Sequence, residues 1–169
     1  MSDLKRKTIE ALRAHAAFEP APETAEDDAF RVTSTPFEAT VTVTENADEA
    51  VEYRVVVRVP TLDAAVAGET VAPVVEEGWF DTFELRLEDA HQATRDVDTV
   101  SRTVTREGDE VVVELRFSRP AFTQAALEDA KALVEYVEGT YVEGIIPGYV
   151  YCPPVDDLLS RAWQEYENE

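Results

Sequence analysis

The stretch "PFEATVTVTE" at 36–45, followed by "VEYRVVVRVP" at 51–60, decides the fold class of this chain. In the first run Phe37, Ala39, Val41 and Val43 alternate with Glu38, Thr40, Thr42 and Thr44. In the second, Tyr53, Val55, Val57 and Val59 fall on one side. A period of two puts one apolar row and one polar row on opposite faces of an extended chain, the pattern of antiparallel strands with one face buried and one wet. The loop "NADEA" at 46–50 lies between the runs, so they are expected to pair as a hairpin. Pro36 separates the first run from a shorter extended piece, 30–34.

A second hairpin is expected in "VDTVSRTVTREGDEVVVELRF", turning at Glu107-Gly108-Asp109. Its later strand buries Val111, Val113, Leu115 and Phe117 against exposed Glu114 and Arg116. The earlier one, Val97 to Thr105, has only Val100 and Val104 on its apolar side and reads as an edge strand. Helical spacing takes over elsewhere. Residues 2–17 form a helix capped by Ser2 or Asp3, with Leu4, Ile9, Leu12 and Ala16 on one face. Thr61 caps two turns that stop at Gly68. Phe80, Phe83, Leu87 and Ala90 mark a helix within 74–92, and Phe122, Ala126, Ala130, Leu133, Val137 and Tyr141 mark the longest one. A tail helix over 153–169 carries Leu158, Leu159, Ala162, Trp163 and Tyr166.

The expectation is an α+β fold: an antiparallel sheet of about five strands with helices packed on one face, in the order α-β-β-β-α-β-β-α-α. The organisation expected is a single domain over 1–169, with an N-terminal helix (2–17), an acidic linker (19–29), a core (30–151) and the tail helix (153–169). The element order is similar to that of the type III secretion chaperone-like fold.

Charge sets the strongest functional limits. The chain has 169 residues, with 36 Asp and Glu against 15 Lys and Arg, a net charge of −21. Only Lys5, Lys7 and Lys131 are lysines. Such a surface repels phosphate backbones and anionic lipid, so neither a nucleic acid nor a membrane is expected as partner. An acid excess with scarce lysine points instead to a high-salt cytoplasm, where a Debye length of about 3 Å at 1 M salt screens the self-repulsion. Cys152 is the only cysteine, so no internal disulfide is expected. "MSDLKRKTIEALRAHAAF" has no continuous apolar core of the signal-peptide kind, and no window approaches the roughly 20 apolar residues of a membrane span. A cytoplasmic protein is expected.

Chemistry-bearing motifs are few. The sequence shows no glycine-rich phosphate loop, Gly-x-Ser-x-Gly elbow, His-Glu-x-x-His pair or calcium-loop spacing. Two histidines and one cysteine do not make a zinc site without carboxylates. No catalytic residue, metal ligand or cofactor-binding residue is assigned, and no cofactor is expected.

One stretch departs from the rest. "YVEGTYVEGIIPGYVYC" at 136–152 holds three of the six glycines, four of the six tyrosines and the cysteine. Three readings are open for it. Gly139 or Gly144 is a left-handed cap ending the long helix. Alternatively, Pro147-Gly148 forms a type II turn that presents Ile146, Tyr149 and Tyr151 as a contact surface. The third reading is catalytic, but Cys152 has both histidines far away in sequence. In "EGWFDTF" at 77–83, Phe80 and Phe83 take the core stripe, which turns Trp79 toward a second surface. That surface is either the N-terminal or tail helix or a partner.

The candidate interaction surface is therefore Trp79, Tyr141, Ile146, Pro147, Gly148, Tyr149 and Tyr151, on a protein-binding or adaptor module. Its partner is another protein or a second copy of the chain. An alternative is a small-molecule-binding protein or enzyme, with a pocket between sheet and long helix marked by Arg102, which interrupts the apolar side of its strand. A self-associating structural protein is the other alternative. The phrases "STPFEATVTV", "YRVVVRVPTLDA", "VAPVVEEGWFDTFELRLEDA" and "YVEGTYVEGIIPGY" together resemble an uncharacterised family of small acidic proteins from halophilic archaea. The resemblance covers most of 30–151 and implies a halophilic cytoplasm. It implies no particular chemistry.

Overall fold

The computed structural model describes residues 2–21, 28–46, 48–95 and 100–167, with residues 165–167 described by backbone alone. The architecture is α+β, as the alternating runs require. Strands β1 (Phe18–Pro20), β2 (Ala29–Val32), β3 (Glu38–Glu45), β4 (Val51–Pro60), β5 (Ser101–Glu107) and β6 (Glu110–Arg119) form one antiparallel sheet in the order β1-β2-β3-β4-β6-β5. The expected hairpin of 36–60 pairs along its whole length, with Val41 opposite Val55 and Val43 opposite Tyr53. The hairpin β5–β6 turns through Gly108-Asp109, with Gly108 at φ +59, where a side chain would be strained.

Six strands stand where about five were expected, because β1 lies at the start of the stretch read as linker. A three-residue strand containing Pro20 has no period to detect. Glu19 pairs across to Arg31 through Oε1, and Thr33 N–H donates to Ala17 O at 2.8 Å, so tertiary contacts define this edge. Residues 22–27 of the expected linker, and residues 97–99 of the expected edge strand, lie outside the described residues.

Period two separates the two faces of the sheet cleanly. Val41, Val43, Tyr53, Val55, Val57, Val113 and Leu115 are fully buried under the helices. On the opposite face Glu114 accepts from Arg54 at 2.9 Å and also pairs with Arg116, while Arg58 meets Glu107 and Glu110. The Arg54 hydrogen bond, with Arg116 adding to it, holds the Glu114 carboxyl below its ordinary range.

Helices α1 (Asp3–Ala14), α2 (Leu62–Ala65), α3 (Pro73–Arg86), α4 (Gln124–Glu143) and α5 (Val155–Glu167) supply the second layer. Helix α1 packs against β1 and β3, and α4 against β4 and β6. Ser2 caps α1, its Oγ accepting from Lys5 N–H. The helix ends three residues before the expected Ala17, leaving Ala16 exposed, because His15 takes an extended conformation. That imidazole is held at both nitrogens: Ala17 N–H donates to Nδ1 at 3.0 Å, and Nε2 lies 2.6 Å from Glu128 of α4. The helix expected over 74–92 is α3 continued by a 3₁₀ segment, Leu87–Ala93.

One ion pair is buried between the layers. Asp129 of α4, 2% exposed, accepts from Arg119 of β6 at 2.9 Å and from the main-chain N–H of Arg95 at 3.0 Å. The Arg119 guanidinium also lies over the Phe117 ring, 4.9 Å from its centre. Three chain segments therefore converge on one carboxylate.

Candidate functional site

Neither Gly139 nor Gly144 is a left-handed cap. Helix α4 runs through Gly139, and Gly144 ends it in the right-handed region at φ −86, its N–H donating to Thr140 O and Tyr141 O. The chain then turns at Pro147-Gly148, where Gly148 has φ +103, the positive value expected there.

The turn is fixed at both ends. Beyond it Ala67 N–H donates to Val150 O at 2.7 Å, and Cys152 N–H donates to Ala65 O at 2.8 Å, an antiparallel bridge between Val66 and Tyr151. Tyr151 OH donates back to Ile146 O at 2.6 Å, closing the turn across its base. Tyr149 meets Tyr151 edge to face, ring centres 6.4 Å apart. Alternation along this short extended piece then sends Val150 outward, 70% exposed.

The proposed contact residues divide. Pro147 and Gly148 are exposed, Ile146 and Tyr149 are half-buried, and Tyr151 is buried. Trp79 and Tyr141 are interior residues, not surface ones. Trp79 stacks on Phe83 at 5.5 Å and meets Tyr141 edge to face at 5.7 Å; Phe37 and Phe83 contact the remaining edges of the Tyr141 ring. Of the two readings of Trp79, packing is what is observed, but against α4 and not the N-terminal or tail helix, because α3 buries a wide arc. Phe80 and Phe83 belong to its core stripe, while Trp79 reaches Tyr141 and the space beside Gly144 on α4. Neither Trp79 Nε1 nor Tyr141 OH has a partner within the described residues. Burial drives the Tyr141 phenol far above its ordinary pKa, with Tyr151 and Glu76 adding to the effect.

Arg102 is paired with Glu88 at 3.6 Å on the flank of the sheet, and it does not line the cavities described below. The largest of these, about 470 Å³, is a groove between Arg86 and Asp89 on one side and Tyr136, Gly139 and Glu143 on the other. Tyr136 OH donates to Arg86 O inside it. A second, about 310 Å³, has Phe37, Pro60, Cys152 and Val155 among its walls, with Arg58 and Glu110 at its rim. No histidine lines this cavity beside Cys152. Among the described residues, no group of three or more His, Cys, Asp or Glu is placed to hold a metal ion. No helix among them is long and apolar enough to cross a membrane.

Sequence reasoning missed the exposure of Val150 and Trp163, as it did that of Val74 and Leu85 on α3. Val150 was legible in principle, because two tyrosines pointing one way leave the residue between them pointing the other. Trp163 was assigned to the apolar stripe of α5, yet it stands 70% exposed while Leu158 faces the core.

The fold and this turn define an α+β domain without a recognisable catalytic constellation among its described residues. Over residues 13–161 the sequence matches a family of unknown function, DUF5813, and the chain belongs to that family. No curated protein and no solved structure matches it.

Proposed function

We propose that this chain is a protein-binding or adaptor module of a high-salt cytoplasm, with the turn 145–150 as its contact surface. The observation that carries the reading is the tethered turn, with Ile146, Pro147, Tyr149 and Val150 at the surface, tied by main-chain bonds at Val150 and Cys152 and across its base by Tyr151 OH to Ile146 O. A contact surface ordered before binding loses little conformational entropy on association. Tyrosine beside exposed aliphatic groups provides the apolar centre of such a patch. The element order similar to secretion chaperones points the same way, although β1 is an extra strand relative to the order expected. The test is purification from a halophilic host in molar salt. A stoichiometric protein partner that is lost with Tyr149→Ala plus Val150→Glu, while the fold is retained, is the expected result. A partner that survives both changes, or none at all, overturns the reading.

The high-salt setting rests on the net charge of −21 and on three lysines against twelve arginines. On dialysis from molar to low salt, the cooperative melt followed by circular dichroism is expected to broaden and fall in temperature, because the repulsion is no longer screened. An unchanged melt would count against the halophilic assignment.

A further inference from the structure

Strand β5 ends the sheet, and its outer edge has no strand beside it among the described residues. Glu107 and Glu110 flank a two-residue turn, so they exchange main-chain hydrogen bonds, and the bonding alternates from there along the hairpin. The N–H and C=O groups of Arg102, Val104 and Arg106 therefore point away from β6. These five residues, Arg-Thr-Val-Thr-Arg at 102–106, read the same in both directions about Val104. An antiparallel two-fold pairing centred on Val104 then sets each outward-facing residue opposite another: Val104 against Val104, Arg102 against Arg106. Up to six main-chain bonds result. On the wet face Thr103 falls opposite Thr105 twice, and such pairs favour association.

The arginines do not oppose this register as bare charges. Arg106 makes a double hydrogen bond to Glu77 and lies over the Phe80 ring, and Arg102 pairs with Glu88. These contacts also place α3 and the 3₁₀ segment that continues it beside β5, with Glu77 of the helix and Glu88 of the segment on the strand side. Next round the helix, at 100° per residue, come Val74, Gly78, Asp81 and Leu85. Val74 is 80% exposed and Leu85 62%, and a side-chain carbon at Gly78 would meet nothing within 4 Å. This stripe lies on the same flank as the strand edge. Isolated in the monomer, a mid-helix glycine costs about 1 kcal/mol relative to alanine, and close approach by a second helix gives it a use.

We propose that two copies of this chain associate through β5, joining their sheets across a two-fold axis at Val104 and setting the Val74–Leu85 stripes of the two α3 helices against each other. Asp81 and the net charge of −21 oppose the union, so it is strongest where salt screens them. It uses no residue of the turn 145–150 and stands or falls separately from the adaptor reading.

Sedimentation in molar potassium chloride tests it. The expected species is a dimer, and Val74→Glu with Leu85→Glu, both at exposed sites, is expected to weaken it about a hundredfold or more, with the melt retained. Register is read in a Cys152→Ser background. Thr103→Cys plus Thr105→Cys sit in facing non-hydrogen-bonded pairs about 4.5 Å apart between Cα atoms, within disulfide reach, and should cross-link under oxidation. Either change alone should not. A monomer at all concentrations, as when the edge takes a strand from another protein, overturns the proposal. So does a dimer that is indifferent to the α3 charges and does not cross-link at 103 and 105.

Discussion

Replacing Asp129 by alanine is expected to destabilise the chain by roughly 3–5 kcal/mol, the usual cost of leaving one member of a buried ion pair without its partner. The carboxylate is 2% exposed and serves both Arg119 and the Arg95 main chain, so its loss orphans a guanidinium and an amide together. In a protein of this length that corresponds to a fall in Tm on the order of 10 °C. The informative comparison is the double variant Asp129→Leu, Arg119→Met. Removing both charges at once takes away the desolvation penalty with the attraction, so the double variant is expected to be more stable than Asp129→Ala. Thermal melts of the parent and the two variants at one salt concentration check this. A double variant that is the least stable of all would show that the pair itself holds the layers together.

Tyr141 gives the second large effect and separates packing from chemistry. Its ring is fully buried against Phe37, Trp79 and Phe83, so Tyr141→Ala is expected to cost about 3–5 kcal/mol through the cavity it leaves. Tyr141→Phe removes only a hydroxyl that has no partner among the described residues. That variant is expected to match or exceed the parent in stability, since the buried oxygen was desolvated without compensation. Denaturant titration resolves the two outcomes. A Tyr141→Phe variant losing more than about 1 kcal/mol would mean that the hydroxyl holds a hydrogen bond, with a buried water as the natural candidate.

These two sites also mark what the sequence discloses and what it withholds. The hairpins were legible because period two is local: Val41 and Val55 announce their face without reference to the rest of the chain. The stripe of α4, from Ala126 to Tyr141, was equally legible. What failed depends on a second contact surface. Trp79 lies outside the stripe that faces the sheet and is buried only because α4 lies beside α3, which no spacing within "EGWFDTF" reveals. Strand β1 exists because β2 is there to pair with it. Gly144 looked like a left-handed cap by residue type, yet the helix closes with right-handed geometry. Within the candidate surface, the positive φ of Gly148 could be read from Pro-Gly, while the burial of Tyr151 depends on its bridge to Val66, far away in sequence.

The strand order has a consequence for how the chain finds this structure. Four of the five strand pairings join neighbours in sequence, so β1 to β4 form one meander and β5–β6 one hairpin, each assembled through short loops. Only β4 with β6 brings distant segments together, closing the stretch between Pro60 and Glu110 that contains α2 and α3. The search for the native topology thus reduces to one long-range encounter between two locally formed pieces. Loop-closure entropy rises only with the logarithm of length, so insertions between α3 and β5 should slow that encounter little. Mispairing within either piece is the error that would delay it most.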